Sequence, residues 1–367
     1  MKTVSRWMIW RRVLTLAAVP FIAGWPVESQ APIQVSPVPS EQQQNPSQKA
    51  ETPAAAAPVI NAPPAAALAP PPPANSGKEF TISAEVDLVL LDVSVRDSAG
   101  GYVSGLPKEA FTVLEDGKPQ TITQFADNDI PVTVGLVVDN SGSMRPKKPE
   151  VITAALVFIQ SSNPLDEWFV INFNDRVRRG LPDILPFTDD VAKLRAALVK
   201  TDPVGRTALY DAVLAGLRQL EMGRRDKKTL VVISDGGDNA STHNFKDVWR
   251  AVLESQATIY TVGIFDQNDK ESNPDVLKRL AHVSGGVCYL PKQLDEVVGI
   301  CRQIAKDIRT RYTIGYVPQQ LNRTGVRHIK VEVHAPGHEK LIARTRTSYM
   351  VTGPAGATDR QKESLKP

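Results

Sequence analysis

In the stretch "VDNSGSM", Val138 to Met144, a carboxylate and two hydroxyls stand at alternate positions, Asp139, Ser141 and Ser143. Alternation along an extended backbone turns all three side chains to one side. Converging hard oxygens are the chemistry of a hard divalent cation. Two further segments hold matching groups: Thr207 in "GRTALYDAV", and Asp235 in "ISDGGD". The candidate shell is therefore Asp139, Ser141, Ser143, Thr207 and Asp235. Mg2+ takes about six oxygens and keeps waters readily, and Mn2+ or Ca2+ suits the same donors. With no His or Cys among the five, zinc and copper are disfavoured. Each segment alone has a plainer reading, since Ser, Thr and Asp cap helices and Ser-Asp-Gly-Gly forms turns. Asp238 reads as a loop or supporting residue, and Asp211, one turn into the following helix, as a group that orients its neighbours.

These residues must be brought together by the elements around them. "VTVGLVVD", "WFVINFN", "TLVVISD" and "TIYTVGIF" are continuous apolar runs, as in parallel strands covered on both faces. "PEVITAALVFIQ", "TALYDAVLAGLRQLE", "FKDVWRAVLESQ", "DVLKRLAHVS" and "LDEVVGICRQIAKDI" read as helices, most of them between those strands. The alternation predicts a doubly wound α/β domain with a mainly parallel sheet over 131–309. Ligands of such sheets bind beyond the carboxyl ends of the strands, where strand order reverses. Asp139 and Asp235 fall at two such ends.

The flanks are β-rich. "VDLVLLDVSVRD" alternates apolar residues at period two, and "FTVLEDGKPQTITQF" is a hairpin pattern bending at Asp116-Gly117. After residue 309 come "RYTIGYVP", "RHIKVEVHA" and "KLIARTRTSYM", each read as one strand. Neither flank is long enough for a covered unit. We therefore expect one β-sandwich-like domain built from 79–130 and 310–351, with the α/β domain inserted between.

The order Asp-x-Ser-x-Ser, a distant Thr, then Ser-Asp-Gly, each in its strand context, resembles the metal-ion-dependent adhesion site (MIDAS) of von Willebrand factor type A (VWFA) domains. The flanking segments "LVLLDVSVRDSAGGYVSGLPKEAFTVLEDGKPQ" and "RYTIGYVP" are similar to those of exported bacterial VWFA-related proteins. The resemblance implies that Ser141, Ser143 and Thr207 ligate the cation directly and that Asp139 and Asp235 act mainly through water. It also implies a non-enzymatic, adhesion-type module whose cation takes an Asp or Glu carboxylate of a protein partner. In animal relatives a moving last helix tunes affinity; here "LDEVVGICRQIAKDI" occupies that place.

The rest of the chain bounds the setting. Lys2, Arg6, Arg11 and Arg12 precede the apolar "VLTLAAVPFIAG", and Ser29-Gln30-Ala31 offers small residues for cleavage. This predicts an export signal over 1–31, an uncleaved anchor being the alternative, and a secreted or periplasmic location at the cell envelope. Arg11-Arg12 hints at a twin-arginine signal. No later segment is long and apolar enough to span a bilayer, for which about 20 residues are needed. Residues 31–77 hold twelve prolines and twelve alanines and no aromatic residue. Such a segment reads as a disordered, stiff linker over 32–78, with a proline-recognition ligand as the sharper alternative. The tail over 352–367 reads as disordered. The net charge of +3 is carried by the first thirty residues, so the body is neutral and lacks the footprint of a nucleic-acid binder. Cys288 and Cys301 are either bridged or buried as free thiols. The five histidines form no nucleophile motif, and a surface metal site at His334 and His338 is a minor alternative. No phosphate-binding glycine motif occurs. Arg224-Arg225 with Lys227-Lys228 reads as a solvated helix end.

Two further readings stay open beside capture of an acidic partner. In one, the cation activates water in a hydrolase, which would need a general base or second metal. In the other, the protein is an envelope scaffold with a structural cation.

Overall fold

The computed structural model describes residues 88–265, 272–320 and 323–352. The expected signal and linker, and all but the first residue of the expected tail, lie outside the described residues.

The N-terminal flank supplies β1 (Val89–Asp97), β2 (Phe111–Glu115), β3 (Lys118–Gln120) and β4 (Ile122–Ala126). The insert runs β5 (Val132–Asp139), α1 (Lys148–Ser161), β6 (Glu167–Phe173), β7 (Val177–Arg179), α2 (Val191–Val199), α3 (Leu209–Glu221) and β8 (Lys227–Ser234). It continues with α4 (Phe245–Glu254), β9 (Thr258–Gly263), α5 (Pro274–Ser284), β10 (Cys288–Tyr289) and α6 (Glu296–Arg309). The C-terminal flank returns as β11 (Tyr312–Tyr316), β12 (Gly325–Val333), β13 (Leu341–Arg344) and β14 (Ser348–Val351).

The insert's sheet has the order β10-β9-β8-β5-β6-β7, parallel except for the edge strand β7. Every residue of β5, β6, β8 and β9 but Lys228 is buried, as a sheet covered on both faces requires. At mid-strand, Gly135 leaves room for its neighbours: a Cβ there would stand 2.3 Å from the Phe169 ring. The chain goes from β5 outward to β6 on one side and returns to β8 on the other. Strand order thus reverses at β5, and the carboxyl ends of β5 and β8 border the crevice where open α/β sheets bind ligands.

The flanks interleave in two four-stranded sheets, β13-β1-β11-β4 and β14-β12-β2-β3. Each mixes strands from before and after the insert. Leu91, Val93, Phe111, Val113, Tyr312, Ile314, Tyr316, Val331 and Tyr349 join the two in one apolar cluster. Phe111 and Tyr312 meet across it with ring centroids 4.9 Å apart.

Three expectations need correction. "KLIARTRTSYM" is two strands in different sheets, β13 against β1 and β14 against β12. Thr345 to Thr347 break the run, and the buried Arg346 donates to the Val252 and Ser255 carbonyls at the end of α4. The segments that form β7 and α2 were not read as elements. The Arg224–Lys228 run is a solvated helix end only in part: Arg224 stays exposed after α3, whereas Lys227 and Lys228 begin β8. Lys227 is buried, its Nζ 3.6 Å from Asp92 Oδ1 and donating to the Arg311 carbonyl, and Arg224 Nε donates to Glu167 Oε2 at 3.2 Å. A buried ammonium needs such partners, and they come from distant parts of the chain.

The seam between insert and sandwich is polar. Asp307 of α6 is fully buried. It accepts from Arg311 at 3.0 Å and Arg344 at 3.1 Å, lies 3.6 Å from Arg96, and accepts a hydrogen bond from the Tyr260 hydroxyl. Burial alone would raise its carboxyl, but Arg311 and Arg344 hold it well below the usual carboxylate range. Cys301 is a buried free thiol and Cys288 a half-buried one. No described helix is long and apolar enough to cross a membrane.

Candidate functional site

Asp139 is the last residue of β5, and its carboxylate is fixed from both sides. The Ser141 backbone N–H donates to Oδ1 at 2.8 Å and the Ser234 hydroxyl to Oδ2 at 2.6 Å. The first bond is an Asx-type turn that folds "DNSGS" back over the strand end. The second ties the end of β5 to the end of β8. Ser141 Oγ then lies 3.1 Å from Ser143 Oγ, and Ser143 Oγ donates to Asp235 Oδ2 at 2.7 Å. Asp235 Oδ1 accepts from the Gly237 N–H at 3.1 Å. The turn after Asp235 needs Gly236: its φ is +78°, and a Cβ would stand 2.3 Å from the Asn273 carbonyl oxygen.

Thr207 arrives on a third loop. That loop is pinned to the first by Gly142 N–H to Gly205 O at 3.0 Å and Val204 N–H to Asn140 O at 3.0 Å. It is pinned to the loop after β8 by Thr207 N–H to Asn239 Oδ1 at 2.9 Å, and by Asn239 N–H to Thr207 O at 2.9 Å. Asp139, Ser141, Ser143 and Asp235 thus share one chain of hydrogen bonds, and the buried Thr207 sits between the loops that carry them.

Several contributors were missed by reading the sequence. Ser234 is fully buried and anchors Asp139; its place just before the Asp235 turn was the one available signal. Asn140 is also fully buried, bonds the Val138 carbonyl and Asn172, and accepts from Lys148 Nζ. Asp238 and Asp211 stay out of the cluster, accepting instead from the Tyr210 N–H and from Thr242 and His243.

The donor set fits a hard cation. Asp139 and Asp235 are both almost fully buried, and among the described residues neither forms an ion pair. Burial, then the charge of Asp235, pushes the Asp139 carboxyl up to about 6, against the hydrogen bonds from Ser234 and Ser141. A cation is the charge that would relieve this. Neighbouring ligands about 2.1 Å from Mg2+ in an octahedron stand about 3.0 Å apart. The Ser141 and Ser143 oxygens, at 3.1 Å, have that spacing, and Asp235 is held to them by a hydrogen bond from Ser143 at 2.7 Å. No group of three or more His, Cys, Asp or Glu side chains suited to a metal occurs among the described residues, so the cluster is hydroxyl-rich rather than zinc-like.

Residues 134–237, which carry all five candidate positions but not the last helices, match the family model described as von Willebrand factor type A domain. Among curated proteins, the chain is 20% identical over 258 residues to human inter-alpha-trypsin inhibitor heavy chain H4. It is 24% identical over 181 residues to uncharacterized protein sll0103 of Synechocystis sp.. The matches cover 68% and 48% of this chain but span only 24% and 42% of those relatives. Among solved structures, von Willebrand factor type A from Catenulispora acidiphila is similar with a TM-score of 0.44 at 14% identity, over 72% of each chain. The vWF domain of the type V pili tip protein Mfa5 from Porphyromonas gingivalis is similar with a TM-score of 0.41 at 13% identity, over 49% of this chain and 95% of that one.

Proposed function

We propose, from the premise that the inserted α/β domain is a von Willebrand factor type A domain, that this chain is an exported, metal-dependent protein-binding module. Asp139, Ser141, Ser143, Thr207 and Asp235 would hold a divalent cation, Mg2+ first, at the rim where β5 and β8 end. A bound dication supplies an electrophilic position for an Asp or Glu carboxylate of a protein partner. The chain's own residues do the rest. Ser234 and the Ser141 N–H orient Asp139. The pinned loops set the distance between the hydroxyls. The mostly neutral hydroxyl donors leave the cation's charge largely uncompensated toward the partner. The supporting observation is the single hydrogen-bonded chain Ser234–Asp139–Ser141–Ser143–Asp235 at the switch point of the sheet.

The reading is one of binding without turnover. Titration calorimetry of the full chain with MgCl2 should show one site, lost in Asp139→Ala and Ser141→Ala. Proteins of the envelope should be captured in Mg2+ and released by EDTA, with the same two variants inert. Metal-dependent hydrolysis of p-nitrophenyl phosphate that vanishes in those variants would replace binding by catalysis. Capture that ignores both EDTA and the variants would reduce the cation to a structural role.

A further inference from the structure

Beside the candidate site the exposed acids include Asp175, Asp202 and Asp275, the last paired with Lys278 at 3.0 Å, while three bases stand without an ion pair among the described residues. Asp235, Asp238, Asp211 and the exposed Asp247 all accept from polar donors of the chain. Asp235 accepts from Gly237 N–H and Ser143 Oγ, and Asp238 from Tyr210 N–H and Ser241 Oγ. Asp211 accepts from Thr242 N–H, His243 N–H and the His243 ring, and Asp247 from Asn244 N–H. The bases face out. Arg206, Lys246 and Arg279 are exposed. Among the described residues none of the three forms an ion pair.

Arg279 is also held in place. Its guanidinium lies 4.5 Å from the Phe245 ring centroid and 5.1 Å from that of Trp249. Phe245 in turn packs 5.9 Å from both Trp249 and Tyr210. Tyr210 and Phe245 lie in the first turns of α3 and α4, with Trp249 one turn further on; α3 follows Thr207, and the Tyr210 N–H donates to Asp238 of the loop after β8, which ties the pedestal to the loops of the candidate site. A guanidinium stacked by its face keeps its N–H edge free and loses little further freedom when a carboxylate meets it. Half-buried aromatic side chains with arginine are also the composition of interaction hot spots.

We propose that Arg279, on its Phe245–Trp249 pedestal, is a second carboxylate receptor, so that the partner is an acidic segment presenting at least two carboxylates. One meets the cation position and another meets Arg279, with Arg206 and Lys246 adding long-range attraction. The inference rests on the binding reading above and names the chemistry of its partner, and it has an arm of its own.

The test is fluorescence anisotropy of the full chain with fluorescein-labelled octaglutamate, against octaglutamine, in Mg2+ and in EDTA at low salt. Wild type binds octaglutamate and not octaglutamine. Arg279→Ala weakens binding by roughly three- to tenfold in both buffers. Phe245→Ala keeps the charge and removes part of the pedestal, and weakens it by about two- to threefold. Thermal melting confirms that each variant is folded. Octaglutamate binding unchanged in a folded Arg279→Ala protein, or absent from wild type, overturns the proposal. If EDTA changes nothing while Arg279→Ala still weakens binding, the cation reading fails and the arginine receptor stands. If EDTA releases the peptide and Arg279→Ala does not, the reverse holds.

Discussion

Ser143 Oγ donates to Asp235 Oδ2 at 2.7 Å, joining two residues 92 positions apart. With the Ser234–Asp139 bond it makes the ends of β5 and β8 a double clasp at the centre of the sheet. The loops that carry the candidate ligands are therefore one unit, and a change at either strand end is felt at the other.

Two buried carboxylates should give the protein in EDTA an unusual pH response. Burial is the leading cause for both: it pushes the Asp139 carboxyl up to about 6, helped by Asp235, and the Asp166 carboxyl up to about 6, helped by Asp129. A raised folded value means the folded state binds more protons than the unfolded one between pH 4 and 6. Stability in EDTA should therefore rise as the pH falls from 7 to 5, by about 1–3 kcal/mol. Asp139→Asn should remove its share of that slope. Saturating Mg2+, which needs the ionised carboxylate, should stabilise most at pH 7. Urea denaturation at pH 7, 6 and 5 measures this, and stability that falls with pH over this window in EDTA would refute it.

The seam should fail at Asp307. Arg311 is as buried as its partner, and Asp307→Asn leaves its guanidinium without a counter-charge. The expected loss is about 3–5 kcal/mol by urea denaturation. The double variant Asp307→Leu with Arg311→Leu should lose less than Asp307→Asn alone. Equal or greater loss in the double variant would show that the charges are not the cause. Because Arg311 and Arg344 hold the Asp307 carboxyl low, its contribution is full at neutral pH, is lost progressively as the pH falls below the usual carboxylate value, and is gone only in stronger acid.

Two glycines should respond in opposite directions to alanine. Gly236 combines φ of +78° with the Asn273 carbonyl 2.3 Å from where a Cβ would be. Gly236→Ala should cost about 1–3 kcal/mol and weaken Mg2+ binding, since the Asp235 turn must shift. Gly299, exposed within α6, has nothing within 4 Å of that position. Gly299→Ala should stabilise by about 0.5–1 kcal/mol. Thermal melts and Mg2+ titrations of the two variants suffice; a Gly236→Ala protein that binds Mg2+ like wild type would show the turn to be tolerant.

Much of the architecture was legible because its signals are local. The runs that became β5, β6, β8 and β9 are buried on both faces and so are apolar without alternation. Their alternation with amphipathic helices is enough to imply a parallel sheet. Period-two alternation gave β1. Each flank had too few strands to cover itself, which is why the two were expected to share one domain. The short segments were less legible. β7 has three residues at a sheet edge, and α2 has nine residues, of which only Leu194, Ala197 and Leu198 are buried. "KLIARTRTSYM" kept a strand's composition while its halves went to different sheets, a choice made by β1 and β12.

The sequence by itself determined which oxygens stand at the ends of which strands, because strand, turn and helix start are written in neighbouring residues. Only the tertiary structure decided the environment of each charge. Lys227 meets Asp92, Asp307 meets Arg311 and Arg344, Asp139 meets Ser234, and Arg279 rests on two rings. The physical reason is that desolvation and Coulomb interaction depend on distance in space, and the chain brings these groups together from positions far apart in its order.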